Sequence, residues 1–149
     1  MAGIIGLKLF NDNNITKNFF DFDFLSRKNV NQWIIYKFTN DDTIKCDIVG
    51  DRWSNMIGYL PTNDVRFVIS NFSYISPIDQ VERVKRVFLM WAPDSAKVKD
   101  KLKITMFSKD AQKILGMGSG FHINVQANEL SDVDEENILH KIQKNSTVY

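Results

Sequence analysis

Residues 87–102 read Val87-Phe88-Leu89-Met90-Trp91-Ala92-Pro93-Asp94-Ser95-Ala96-Lys97-Val98-Lys99-Asp100-Lys101-Leu102. Five large apolar residues in succession predict a strand that is buried on both faces. Pro93 ends this strand, because proline has no N–H to donate to a sheet. Asp94 and Ser95 have short side chains that favour the start of a helix, and a lysine follows at every second position from Lys97. The stretch therefore predicts a buried strand that leads into a helix with a cationic first turn.

The bulk composition is that of one globular domain covering residues 1–149, with 44% hydrophobic and 25% charged residues. The net charge of +1 provides no overall field toward nucleic acid, so we expect no nucleic-acid partner. Cys46 is the single cysteine, which excludes an internal disulfide and favours a reducing compartment. No run approaches the ~18–20 apolar residues that span a bilayer. We therefore expect a cytoplasmic protein. We also expect it to be a monomer.

Periodicity and turn residues predict the remaining elements of the chain. The predicted helices cover residues 15–27, 51–60, 96–115 and 133–144. The predicted strands cover residues 33–38, 43–49, 65–72, 85–91 and 122–127, with a hairpin loop over 73–82. This order predicts an α/β or α+β fold in which one mixed sheet is covered on both faces by helices.

Sites for catalysis and metal binding are not indicated. The Gly116-x-Gly118-x-Gly120 motif follows a helix instead of a strand, so we expect it to end that helix through left-handed backbone conformations. His122 and His140 lack partners at metal-ligand spacing. The acidic cluster Asp132, Asp134, Glu135 and Glu136 suits the positive end of a helix dipole. We expect no enzymatic activity, no cofactor and no metal.

The string Trp91-Ala-Pro-Asp-Ser-Ala96, continued by Lys97-x-Lys99, resembles the segment that joins a strand to the long helix in the ADF/cofilin family. The resemblance is tightest over residues 83–102 and 108–111, good over 125–144 and loose over 10–65. It implies the ADF-homology fold, a central mixed β-sheet sandwiched between α-helices. It also implies a protein that binds actin monomers and filaments and promotes the severing, depolymerisation and turnover of filaments.

The resemblance implies two groups of actin-binding residues. Those implied to contact the actin monomer, and the same subunit within filaments, are Ala2, Gly3, Ile4, Ile5, Gly6, Lys97, Lys99, Lys101 and Leu102. Those implied to contact filaments are Arg83, Lys85, Arg86, His140, Lys141 and Lys144. Residues Arg83 and Lys85 are two apart, so they are expected on one face of their strand. Lysines around an exposed apolar side chain suit an acidic partner such as actin.

Two departures from the family pattern are visible. No serine follows Met1, so the inhibitory phosphorylation common in the family lacks its acceptor. The segment from Lys101 to Ala111 is one residue longer than the family pattern, which makes contacts beyond Leu102 less secure. The alternatives are a coactosin-like protein that binds filaments without severing them, and a glia-maturation-factor-like protein that acts on branch junctions. The same lysines, with Lys103, also predict a secondary affinity for phosphoinositide head groups.

Overall fold

The computed structural model describes residues 6–10, 15–39 and 42–144. The strands are β1 (Lys8–Leu9), β2 (Gln32–Phe38), β3 (Thr43–Asp51), β4 (Arg66–Ile75), β5 (Glu82–Trp91) and β6 (Ile123–Ala127). The helices are α1 (Ile15–Phe19), α2 (Trp53–Ile57), α3 (Val98–Met106), α4 (Ser108–Gly116) and α5 (Glu135–Lys144), with a 3-10 helix at Leu130–Val133.

The six strands form one mixed sheet in the order β1-β3-β2-β4-β5-β6. The central pairs are antiparallel, whereas β1 pairs with β3 and β6 pairs with β5 in parallel. The parallel β5–β6 pair requires a crossover connection, which α3 and α4 provide. The two helices therefore begin at the Trp91 end of β5 and return toward its beginning.

Alternating residues of the strands face two separate cores. On β5, Val87, Leu89 and Trp91 pack on the side of α2 and α5. Phe88 and Met90 pack on the side of α1, α3 and α4. All five side chains are buried, which confirms the predicted strand with two apolar faces. The mixed sheet with helices on both sides confirms the predicted fold class.

The first helix is much shorter than predicted, because it ends at Phe19 instead of residue 27. Side-chain amides donate hydrogen bonds to the backbone carbonyls near its end. Asn71 Nδ2 donates to the Phe19 carbonyl at 2.6 Å, and Asn29 Nδ2 donates to the carbonyls of Asn18 and Asp21 at 2.9 and 2.8 Å. Because these carbonyls have other partners, the chain leaves the helix after Phe19 and forms a loop.

The long helix predicted over 96–115 is interrupted at Phe107, which separates α3 from α4. The predicted cap at its start is also wrong. Residues Pro93–Ala96 form a turn in which the Ala96 N–H donates to the Pro93 carbonyl at 3.0 Å, so the helix begins only at Val98. Lys97 is the residue before it, and no side chain caps the first amides. The turn therefore moves the helix start beyond Asp94 and Ser95.

Other boundaries differ by smaller amounts. Cross-strand pairing continues to Ile75 and Glu82, so the β4–β5 hairpin loop covers only residues 76–81. The predicted last helix is divided at Asp134 into the 3-10 helix and α5. After α4, Met117, Gly118 and Gly120 adopt φ values of 47°, 85° and 74°, which confirms left-handed backbone at the glycine motif.

Candidate functional site

Helix α3 presents an apolar stripe to solvent. Val98, Leu102 and Met106 are 69%, 66% and 68% exposed. They are four residues apart, so they lie above one another on one face of the helix. Ile104 on the opposite face is fully buried against the sheet and holds the helix in place. Leu102 was predicted as a contact residue, and the structure shows that it is the centre of this apolar stripe.

The lysines next to the stripe differ in their exposure and in their contacts. Lys97 and Lys99 are exposed at the start of α3. Lys101 is half-buried, and its Nζ donates to the Asp94 carbonyl at 3.2 Å. Lys103 lies on the sheet side, 3.4 Å from an Asp42 carboxylate oxygen and above the Phe38 ring at 4.7 Å. Lys97 and Lys99 are therefore the cations most accessible to a partner, while Lys103 is committed to intramolecular contacts.

The amino-terminal part of the predicted monomer-contacting surface is described only at Gly6. A β-carbon added to Gly6 would lie 3.8 Å from Asp110 Oδ2, so the segment entering β1 runs beside α4. Ala2, Gly3, Ile4 and Ile5 lie outside the described residues. The structure therefore brings Gly6 to the layer of helices that also contains α3.

A second surface lies on the other face of the sheet, at the end where β5 begins. Arg83 and Lys85 are half-buried. They face the α2/α5 side, because residues two apart on a strand share a face and Val87 packs on that side. Arg86 faces the other side, where its guanidinium carbon lies 4.7 Å from the centre of the Phe20 ring. The structure therefore does not bring Arg86 together with Arg83 and Lys85.

The β4–β5 hairpin loop extends this surface with apolar side chains. Ile78 and Val81 in the loop are 68% and 49% exposed, whereas Ile75 at the end of β4 is 55% exposed on the other face of the sheet. The loop conformation is well defined, because the Ser76 N–H donates to the Val81 carbonyl at 2.9 Å. Asp79 pairs with Arg83 at 2.5 Å. The hydrogen bond from the Val81 N–H and the charge of Arg83 lower the pKa of Asp79, so its carboxylate stays ionised at neutral pH.

Helix α5 supplies the remaining residues of the second surface. His140, Lys141 and Lys144 are exposed on its last turns, while Ile138 and Ile142 anchor the helix in the core. A shallow groove of about 510 Å³ runs between Pro77 of the hairpin loop and His140, Gln143 and Lys144. The end of α5 therefore lies next to the hairpin tip and forms one cationic and apolar surface with it.

His122 lies close to this surface without belonging to a metal site. Its Nδ1 accepts the Arg86 N–H at 2.9 Å. Partial desolvation, together with the charges of Lys85 and Arg86, lowers the pKa of His122, although the residue is exposed. The imidazole is therefore a neutral hydrogen-bond acceptor at neutral pH. In the described part of the chain, no three histidine, cysteine or acidic side chains converge to hold a metal ion.

The predicted structural role of the acidic cluster is confirmed. Asp132 Oδ2 accepts the N–H groups of Asn128 and Glu129 at 3.1 and 3.2 Å, and Asp134 Oδ1 accepts the Glu136 N–H at 3.3 Å. Asp132 therefore caps the 3-10 helix, whereas Asp134 and the acidic residues Glu135 and Glu136 lie at the start of α5.

Sequence reasoning missed five exposed apolar residues on or next to the two surfaces: Val98, Met106, Ile75, Ile78 and Val81. The first two could have been found from their spacing of four residues on either side of Leu102. The other three flank or interrupt the turn residues of a hairpin, where apolar side chains have no core to enter. Apolar residues that lie among charged or turn residues in the sequence were therefore the signal that could have indicated these exposed positions.

Comparisons with known proteins agree with this architecture. Residues 11–143 match the profile of a family described as cofilin/tropomyosin-type actin-binding protein. A cofilin from Ogataea parapolymorpha is 34% identical over 149 residues, covering 96% of this chain and 92% of that protein. The structure of Streptomyces griseoflavus cofilin matches with a TM-score of 0.70 and 25% identity, covering 93% of this chain and 98% of that one. A coactosin from Entamoeba histolytica shares the fold, with a TM-score of 0.74, 21% identity and coverage of 94% and 96%.

Within residues 6–10, 15–39 and 42–144, none of the helices has the length and apolar character needed to cross a membrane. The profile match covers most of the chain, and the relative from Ogataea parapolymorpha aligns over nearly all of it. The chain therefore belongs to the ADF/cofilin family of actin-binding proteins.

Proposed function

We propose that this protein is a cytoplasmic, monomeric, single-domain member of its family that binds actin monomers and filaments and disassembles filaments by severing and depolymerisation. The observation that carries the proposal is the presence of two dissimilar exposed surfaces on one sheet. The α3 stripe lies on one face, near the Trp91 end of β5. The cationic surface of β5, the hairpin loop and α5 lies on the other face, near the Glu82 end.

The two surfaces suit two neighbouring actin subunits. A filament presents successive subunits in a fixed relation, whereas a monomer presents one subunit only. The α3 stripe is sufficient for binding a monomer, and the second surface adds contacts that exist only in a filament. A protein that binds one geometry of the two subunits better than another shifts the filament toward that geometry. Disassembly follows when the favoured geometry weakens the contacts between subunits.

The α3 surface combines charge with apolar burial. Lys97 and Lys99 attract an acidic partner and accelerate encounter, and Val98, Leu102 and Met106 provide apolar area that contact with actin would bury. Because Lys97, Lys99 and Lys101 are exposed or half-exposed, we also propose that phosphoinositide head groups compete with actin for them.

The decisive experiment is imaging of single labelled filaments together with cosedimentation. We expect added protein to break filaments and to increase the unpelleted actin. The double variant Lys99→Ala with Lys101→Ala should lose monomer binding while keeping its unfolding midpoint. Decoration of filaments without breakage or release of subunits would instead favour a coactosin-like role. Loss of branches with intact filaments would favour action at branch junctions.

A further inference from the structure

Arg83 on the second surface forms an ion pair with an acidic residue of its own chain. Its Nη2 donates to Oδ2 of Asp79, in the hairpin loop, at 2.5 Å. Lys85 lies two residues further along the same face of β5, and none of the salt bridges between described residues involves it. Of these two neighbouring cations, Arg83 is therefore partly neutralised within the protein, whereas Lys85 is not.

The ion pair leaves hydrogen-bonding capacity of Arg83 unused. The bond to Asp79 is the one hydrogen bond that the Arg83 side chain forms with described residues. Its Nε is buried without a partner there, and so is the hydroxyl of Tyr74, which lies opposite Arg83 on β4. Buried polar groups are normally hydrogen-bonded. The contact with Asp79 therefore satisfies only part of the guanidinium.

Asp79 has no second oxygen free for Arg83. Its Oδ1 accepts the Val81 N–H at 3.1 Å, and the Ser76 side chain hydrogen-bonds to the same carboxylate. An arginine binds a carboxylate most strongly when two parallel N–H groups meet both oxygens. A carboxylate that belongs to a partner and offers both oxygens can therefore bind Arg83 better than Asp79 does.

The hairpin loop fixes the position of Asp79. The Gln80 N–H donates to the Ser76 carbonyl at 2.9 Å. Gln80 adopts a φ value of 60°, in the left-handed region that is uncommon for a residue with a long side chain. Such a conformation persists where the surrounding structure imposes it. The loop therefore holds the Asp79 carboxylate beside Arg83, four residues later in the chain.

We propose that Asp79 masks Arg83 from the actin filament, and that filament binding exchanges the Asp79 carboxylate for a carboxylate of actin. This inference rests on the proposed filament binding by the second surface. Arg83 and Lys85 attract an acidic partner, whereas the negative charge of Asp79 beside them opposes its approach. Asp79 therefore sets the affinity for filaments below the value that the two cations alone would give.

The test is the filament affinity of Asp79→Asn, measured by cosedimentation at low salt. Asparagine keeps an oxygen that can accept the Val81 N–H, so the loop should keep its conformation while the charge is removed. We expect binding to tighten by about two- to fivefold, because exposed ion pairs have modest strength. Monomer binding and the unfolding midpoint should stay close to those of the wild type. The matched control is Asp51→Asn, which removes an exposed carboxylate at the end of β3 and should leave filament binding unchanged.

A double-mutant cycle assigns the effect to the ion pair. Asp79→Asn should not change filament binding by the Arg83→Ala variant, because no masked guanidinium remains there. The same gain in that background, or in Asp51→Asn, would overturn the mask and indicate a general effect of charge. Weaker filament binding by Asp79→Asn would also overturn it, and would assign Asp79 a direct contact with the filament.

Two further outcomes separate this inference from the function on which it rests. Wild-type affinity in Asp79→Asn, while Lys85→Ala weakens filament binding, would overturn the mask and leave the proposed function intact. Failure of the wild-type protein to pellet with filaments would overturn the proposed function itself.

Discussion

Leu102→Ser should weaken monomer binding without weakening the fold. The side chain is 66% exposed at the centre of the α3 stripe. Fully burying a leucine contributes about 1.5–3 kcal/mol, so contact with actin can recover about 1–2 kcal/mol at this position. At about 1.4 kcal/mol per tenfold change, serine should raise the Kd by roughly 5- to 30-fold.

The measurement is a titration of labelled monomeric actin with each variant, paired with chemical unfolding. Because the Leu102 side chain is mostly exposed and contributes little to the core, Leu102→Ser should change the free energy of unfolding by no more than about 0.5 kcal/mol. Leu130→Ser removes the same type of side chain from a position that is 55% exposed. It should leave the monomer Kd unchanged.

The same Kd for Leu102→Ser and the wild type would refute the assignment of the α3 stripe as the monomer-binding surface. A large loss of stability in Leu102→Ser would refute the premise that the residue is available to a partner. A loss of monomer binding that is matched by Leu130→Ser would show that the effect is not specific to the stripe.

Three further predictions follow from the second surface, the neutral histidine and the close approach of two strands. The double variant Arg83→Ala with Lys85→Ala should weaken pelleting with filaments and should spare monomer binding. The loss should be greater at low salt, where exposed charges are less screened. Equal losses in both assays would contradict the existence of two separate surfaces. His122 has a lowered pKa in the folded state, so the unfolded state takes up its proton first. The free energy of unfolding should fall as the pH drops below about 6.5, and His122→Asn should flatten that dependence in denaturant titrations; an unchanged slope would contradict it. Gly50→Ala places a β-carbon well inside contact distance of the Trp33 indole ring. It should therefore lower the free energy of unfolding by about 1–3 kcal/mol, measured by chemical unfolding. An unchanged unfolding midpoint would exclude that overlap.

The parts of the fold predicted correctly depend on neighbours in sequence. The run from Val87 to Trp91 is apolar at every position, and this pattern alone indicates a strand between two cores. Arg83 and Lys85 share a face because side chains alternate along any strand. Gly118 and Gly120 after α4 adopt left-handed conformations that the residue type favours.

The errors have long-range causes. The apolar spacing from residue 15 to 25 suits a helix, yet Asn71 donates to the Phe19 carbonyl from 52 residues away in sequence. Strand alternation alone could have separated Arg86 from Lys85, and only the contact of Arg86 with Phe20, from the loop after α1, depends on the tertiary fold. Neither partner can be identified from local periodicity.

By itself the sequence determined the layered fold, the family and the lysine-rich start of α3, because these follow from local patterns and a distinctive string. Only the tertiary structure showed that Val98, Leu102 and Met106 form one exposed stripe, and that α5 lies beside the hairpin tip. The tertiary structure also showed the salt bridge between Arg27 and Glu82 that joins the loop after α1 to the beginning of β5. The physical reason is that packing brings together residues that are distant in sequence. These partners determine which apolar side chains stay exposed, which elements lie side by side and which polar groups form hydrogen bonds.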